Sequence, residues 1–433
     1  MDLLDDAHAL ADDLTDLRHR LHRRPEIGLR LPKTQEAVLA ALDGLGLEIS
    51  RGIDLGSVTA VLRGGGSNRA GRGSDPDGAD SDRPVVLLRA DMDALPVHEE
   101  VDLPYRSTVD GAMHACGHDL HTAMLVGAAR LLAAHREHLA GDVVLMFQPG
   151  EEGYDGARKM LNEGVLDAAG RRPDAAFALH VISNMFGNGQ LVTRPGPLMA
   201  ASDGMLVTVR GLAGHSSSPH LSRDPVPATC EMVVALQTAI NRQVDAFSPV
   251  ALTVGSLHAG TRRNIIPEKA TFEATVRTFD PAIRVQVRDL AIRVCQGVAA
   301  AHGLEVEIEY LEEYPVTVND ADSVRFALRV AADMLGEDRV AVMEKPVTGT
   351  EDFSRVIQKV PGALMFLGAC LQGRDPDTAP SNHSPHAGFD DAVIPDGAAL
   401  YAEFAVRRLA GLAEASQVRE VRLPDTEAAA TLA

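Results

Sequence analysis

Val143-Val144-Leu145-Met146-Phe147-Gln148-Pro149-Gly150-Glu151-Glu152-Gly153 is the stretch on which the fold turns. Apolar residues follow one another here without polar alternation, which predicts a strand buried on both faces. Such a strand belongs in a sheet covered by helices. The Pro-Gly step ends it, and two adjacent acids then stand at its carboxyl end. Ligand sites of open α/β sheets lie at such ends. Adjacent carboxylates repel each other unless a cation or a proton divides their roles, so one can hold a metal while the other moves a proton.

The same pattern recurs on both sides of this stretch. Val58–Leu62, Val85–Leu88, Ala175–Leu179 and Ala363–Leu367 read as further short apolar strands. Helices are expected from Leu3 to Leu21, where Pro25 stops the chain, and over 118–139, 155–166 and 395–412. Between them the rhythm changes. Strands at 204–210, 249–257, 270–279 and 304–311, with helices at 225–244 and 280–302, predict an inserted α+β domain over 200–312. The fold expected is therefore α/β: a domain built from 1–199 and 313–412, with a mixed, largely parallel sheet, interrupted by a smaller one. Gly64 to Arg83, rich in Gly, Ser, Asp and Arg, is expected to be a disordered loop. Residues 413–433 are expected to form a flexible tail.

At 433 residues the chain exceeds one ordinary core. Its net charge of −20 argues against nucleic acid and anionic membrane as partners. No stretch approaches the ~20 uncharged apolar residues of a membrane helix. The acidic start, Met1-Asp2-Leu3-Leu4-Asp5-Asp6, is unlike a secretory signal, and a cytoplasmic location is expected. The four cysteines, Cys116, Cys230, Cys295 and Cys370, are too few and too dispersed for a disulfide framework.

Chemistry concentrates at strand ends. His114-Ala-Cys116-Gly-His118-Asp119-Leu-His121 offers a thiolate and an imidazole two residues apart, a pairing suited to zinc and other borderline-soft metals. Asp91 and Asp93 follow the strand at 85–88, and His180 closes the strand at 175–179. Ser381-Asn-His383-Ser-Pro-His386 follows the strand near 363–369, and spacing alone leaves both histidines open as a ligand. Taken singly, each feature is common as a solvated turn or a structural histidine. Jointly they place metal-capable residues at the ends of three strands of one sheet, which a metal hydrolase explains.

These residues also resemble the M20 metallopeptidase family, in particular its branch of hippurate hydrolases, auxin-conjugate hydrolases and N-acetyl-diaminopimelate deacetylases. The matching motifs are Leu21-His-Arg-Arg-Pro-Glu-Ile-Gly28, Arg89-Ala-Asp-Met-Asp-Ala-Leu-Pro96, Met113–His121 and Phe147–Gly153. Gly214-His-Ser216, Asn264-Ile-Ile-Pro267, Gly349–Phe353 and Asn382-His-Ser-Pro385 continue the match in order, so that it covers about residues 10 to 410. The resemblance implies that Cys116, His118, Glu152, His180 and His383 ligate two divalent metal ions. It implies Glu151 as general base and Asp93 as the group orienting a ligand or the water. It makes the insert a lid that dimerises, with His215 of one subunit serving the oxyanion in the other, and Asn264 and Arg277 holding a substrate carboxylate. Asp91 stands where other branches carry a ligand histidine, and Asp119 and His121 are expected to support the ligands.

The function expected is hydrolysis of N-acyl amino acids, hippurate-like or N-acetyl, by a metal-activated water. Zinc or manganese is the expected metal, with cobalt or nickel also compatible. A carboxypeptidase or dipeptidase of the same fold, a metal-free cysteine hydrolase using Cys116, and a non-catalytic binding protein are the competing readings.

Overall fold

The computed structural model describes residues 2–66 and 83–421. Most of the loop expected at 64–83, and the tail beyond residue 421, lie outside the described residues. Two compact units divide the chain: Met1–Gly196 with Asn319–Glu344 and Arg355–Ala433, and Pro197–Val318 with Lys345–Ser354. The second unit thus begins and ends a few residues from the expected 200–312, and it also takes in a returning segment.

The first unit is built on an eight-stranded sheet. Its order is Glu48–Arg51, Val58–Leu62, Asp142–Gln148, Val85–Asp91, Ala175–Ile182, Gly362–Gly368, Leu191–Thr193 and Val340–Val342. Asp142–Gln148, Val85–Asp91, Ala175–Ile182 and Gly362–Gly368 lie side by side in parallel, with antiparallel pairs on both flanks. Residues 85–91, 142–148 and 362–368 are buried throughout, as runs without polar alternation require. Helix His118–Ala134 packs on the sheet beside the last helix, Val393–Val421. Residues 413–421, expected in the tail, continue that helix; Leu412-Ala-Glu-Ala is strong helix-forming sequence.

The amino-terminal helix expected in one piece is two, Leu3–Ala9 and Ala11–His22, divided at Leu10. The first has its own cap, since Asp2 accepts the Asp5 N–H. Among the described residues no helix is long and apolar enough to cross a membrane.

The second unit carries an antiparallel sheet ordered Val250–Ala259, Lys269–Thr278, Ala201–Arg210 and Glu305–Glu312. Helices Pro225–Gln243 and Pro281–Ala301 supply Met232, Leu236, Val287 and Cys295 to a core shared with Val207 and Phe272. Asp224 and Asp280 cap the two helices, and proline fills the first turn of each. This is the expected α+β insert.

Where the central strands of the first unit run out, a side chain replaces the ladder. Regular pairing of Val85–Asp91 with Ala175–Ile182 ends at Arg89 and Ala178. Beyond it the buried Tyr401 hydroxyl donates to the Arg89 carbonyl at 2.6 Å and accepts the Leu179 N–H at 2.8 Å. Tyr401→Phe leaves both backbone groups without that partner. It is expected to lower unfolding stability by about 1–3 kcal/mol, read as a fall in urea midpoint at unchanged slope.

Candidate metal centre

Parallel strands bring the expected ligands to one edge. Asp93 follows the strand Val85–Asp91, and Glu151 and Glu152 follow Asp142–Gln148. His180 lies within Ala175–Ile182, two residues short of its end rather than at the end expected. Cys116 precedes helix His118–Ala134, and His383 lies in the loop after Gly362–Gly368.

Their donor atoms converge. Cys116, His118 and His180 each offer a ligand atom within 4.8 Å of the others, and so do Cys116, Glu152 and His383, and His118, Glu151 and Glu152. The Cys116 Sγ lies 3.5 Å from His180 Nε2 and 3.2 Å from His383 Nε2. His383 Nε2 is also 3.0 Å from a Glu152 oxygen. Backbone carbonyls fix the tautomers: His118 Nδ1–H donates to Asp93 O at 2.8 Å and His180 Nδ1–H to Val181 O at 2.9 Å. Each therefore turns the Nε2 lone pair toward the cluster. His118 Nε2 is buried and has no hydrogen-bond partner among the described residues. A buried ring nitrogen without a partner, beside a thiol, two further imidazoles and a carboxylate, is a donor set that fits borderline-soft divalent ions.

The turn that carries the acids is held from below. Asp93 accepts the Glu151 N–H at 2.9 Å on one oxygen and the Glu152 N–H at 3.1 Å on the other. Its carboxylate thus fixes the backbone of the acidic pair, while its carbonyl orients His118. Gly150 makes the turn possible: its φ is +72°, and a Cβ there would stand 2.5 Å from Leu29 Cδ2.

His383 is the histidine that faces the cluster. His386, level with it from spacing, faces Glu100 at 3.3 Å instead. Asn382 sets the loop, accepting the Ser183 N–H at 2.9 Å and donating to Val181 O at 3.0 Å.

Asp91 borders this site: one oxygen lies 3.6 Å from His118 Nε2, and Asp91, His118 and His121 form a further metal-capable group. Arg89 Nη1 donates to it at 2.7 Å, and His121 Nδ1–H at 2.5 Å, while His121 Nε2 accepts the Val181 N–H. Against the effect of burial, Arg89 and the neighbouring histidines hold the Asp91 carboxyl well below the usual carboxylate range. Asp119 turns toward Arg18 and His22. The sequence reading missed Arg18, His22, Arg89 and Asn382; all but Arg18 lie inside quoted motifs, which was the available signal.

In the second unit His215 and Asn264 are neighbours. Ile265 pairs with His215, and Asn264 O accepts the Ser216 N–H. Both lie beyond the Arg210/Lys269 end of the sheet, whereas Arg277 pairs with Ser202 at the other. Eight residues of strand separate Lys269 from Arg277, roughly 26 Å at ~3.3 Å per residue. Within one chain the structure does not bring Asn264 and Arg277 together.

A model of Peptidase family M20/M25/M40 matches residues 87–407. The chain belongs to this family. This M20 chain is 34% identical to thermostable carboxypeptidase 2 of Saccharolobus solfataricus, over 94% of the chain and 98% of that protein. It is 36% identical to the IAA-amino acid hydrolase ILR1-like 4 of Arabidopsis thaliana, over 92% and 86%. The crystal structure of Bacillus subtilis YXEP, a dinuclear metal-binding peptidase of the M20 family, aligns with a TM-score of 0.76 at 30% identity, over 93% of this chain and 99% of that one.

Hydrogen bonds to Cys116 and Glu152 push His383 up to about 10, so without metal its ring is protonated at neutral pH. A metal needs the neutral ring and must displace that proton. Zinc uptake by metal-free protein is therefore expected to release protons and to tighten as pH rises from 6 toward 9. Titration calorimetry in buffers of different ionisation enthalpy reads the release directly.

Proposed function

We propose that this M20 chain is a metal-dependent amidohydrolase that removes the acyl group from N-acyl amino acids. The observation that carries the reading is the convergence of Cys116, His118, Glu152, His180 and His383 around one site with Glu151 beside them. Those five residues would hold two divalent cations, with the Cys116 thiolate favouring zinc. When bound, the cations polarise the scissile carbonyl and acidify a water molecule. The relatives named for IAA-amino acids and for carboxypeptidase activity support an amide beside a free carboxylate as the bond attacked. All four cysteines are free, in keeping with a reducing, cytoplasmic setting.

The chain's own residues divide the work. Glu151 takes the proton of the attacking water and returns it to the leaving amine. Asp93, gripping the Glu151 and Glu152 amides, keeps that carboxylate in place through both transfers. Arg277 receives the substrate carboxylate: its guanidinium donates to Ser202 Oγ at 2.7 Å and has no carboxylate partner among the described residues. Nearby, Arg284 rather than Arg277 pairs with Asp203.

His215 and Asn264, at the far end of the same sheet from Arg277, serve the site of a second copy in a homodimer. His215 supports the oxyanion there, a contribution of ~3 kcal/mol for a well-placed donor.

The Cys116–His383 contact of 3.2 Å also suits a thiol nucleophile, the second reading. Chelation separates the two, since a thiol enzyme survives removal of metal and a metal enzyme does not.

Glu151→Gln is expected to lower kcat by about 10²-fold or more while bound metal, read by elemental analysis, is unchanged. Arg277→Ala is expected to raise KM for N-acyl amino acids and to leave N-acyl amides lacking a carboxylate unaffected; equal losses on both would count against the clamp. Glu151→Gln and His215→Ala proteins, each inactive alone, are expected to regain activity when unfolded and refolded together, because mixed dimers then hold one intact site. No recovery in dimers shown to be mixed would rule out the shared site.

A further inference from the structure

The motif Leu21–Gly28 matches the family, yet none of its residues joins the metal-capable cluster. Its place in the structure is under the turn that carries two of the candidate ligands. Arg18 and His22, one helical turn apart on Ala11–His22, are both buried, at 0% and 1% exposure. Arg18 Nε donates to Asp119 Oδ2 at 2.7 Å, and His22 Nδ1 meets the same oxygen at 2.8 Å. Arg18 Nη1 continues to Asp391 at 3.0 Å, and His22 Nε2 faces Glu99 at 3.1 Å. Against burial, Asp119 and Glu99 hold the His22 imidazole above its ordinary value.

Asp119 follows His118 in the first turn of helix His118–Ala134. That helix has no cap of its own: Gly117 stands at its N-cap with φ +82° and offers no side chain. Nor can a capping residue replace it, since a Cβ at Gly117 would lie 2.3 Å from Val181 Cγ2. The start of the helix is therefore held from outside. The residue after Glu99 touches the other ligand loop, since Glu100 donates its N–H to Pro385 O at 2.8 Å.

We propose that Arg18 and His22 are positioning residues of the metal centre, acting through Asp119 to fix the ligand-bearing turn Cys116-Gly117-His118. The inference rests on the metal-centre reading above. Carboxylate support of metal ligands is ordinarily worth about 10–100-fold in metal affinity. Here the support passes through the backbone of the turn rather than through a bond to a ligand ring.

Two substitutions at one residue separate positioning from bulk stability. His22→Asn keeps an N–H where Nδ1 stood, toward Asp119, whereas His22→Gln keeps one where Nε2 stood, toward Glu99. Metal-free protein is titrated with Co2+, and the thiolate-to-cobalt absorption of Cys116 is followed together with thermal melting. The two variants are expected to melt alike. His22→Gln is expected to bind Co2+ about tenfold or more weakly with a shifted band, while His22→Asn stays close to the unchanged protein. Equal affinity and an unshifted band in both would overturn the proposal. Should His22→Gln fail to fold, Arg18→Lys keeps the buried charge but cannot span Asp119 and Asp391. It is expected to shift the band and weaken Co2+ in the same way, and a normal titration would overturn the proposal. Absence of any thiolate band in the unchanged protein would instead defeat the metal-centre reading itself.

Discussion

Four adjacent strands that run the same way must end on the same side of the sheet, and in this chain that side gathers Asp93, Glu151, His180 and His383. No local feature of any one segment could assemble that set. Strand direction does so: two βαβ connections return the chain to the same side, and Gly362–Gly368 joins in parallel after the insert. Helix His118–Ala134 then delivers Cys116 and His118 to that edge, and its amino-terminal turn becomes one wall of the site.

Concentrating ionisable groups in a buried place carries an electrostatic penalty, and the surrounding structure answers it with paired charges. Arg89 neutralises Asp91, and Arg18 with His22 neutralises Asp119. Both arginines are 0% exposed, among the largest fully buried side chains of the protein. His114, beside them, takes the other course: burial pushes it down to about 3, and it remains a neutral ring. His180 is likewise driven far below its ordinary value by burial, which keeps it in the form a metal requires.

Support for the centre comes largely from backbone groups. Asp93 holds two amides, and carbonyls at residues 93 and 181 fix two imidazole tautomers. Asn382 ties the His383 loop to the end of Ala175–Ile182. Arrangements of this kind lock a site before any ion arrives, because the groups that orient the donors belong to strands and turns already fixed by packing.

The sequence by itself carried the fold class with its insert, and it singled out residues whose donor atoms the structure brings together. Runs such as Val143–Phe147 have no polar face, short length and β-branched residues, which suit a covered strand, and Pro-Gly ends such a run. It also carried the donor chemistry, since Cys116, His118 and Glu152 offer their ligand atoms wherever they stand. The tertiary structure decided which members of those motifs face the centre. His383 rather than His386 turns inward because Asn382 pins the loop, and Asp91 stays beside His118 while Arg89 and His121 hold it. It decided the work of Arg18 and His22, whose partners lie 101 and 97 residues along the chain, a separation that local pattern cannot bridge. It decided as well that Asn264 and Arg277 stand at opposite ends of one sheet, because strand register, not proximity in sequence, sets that distance.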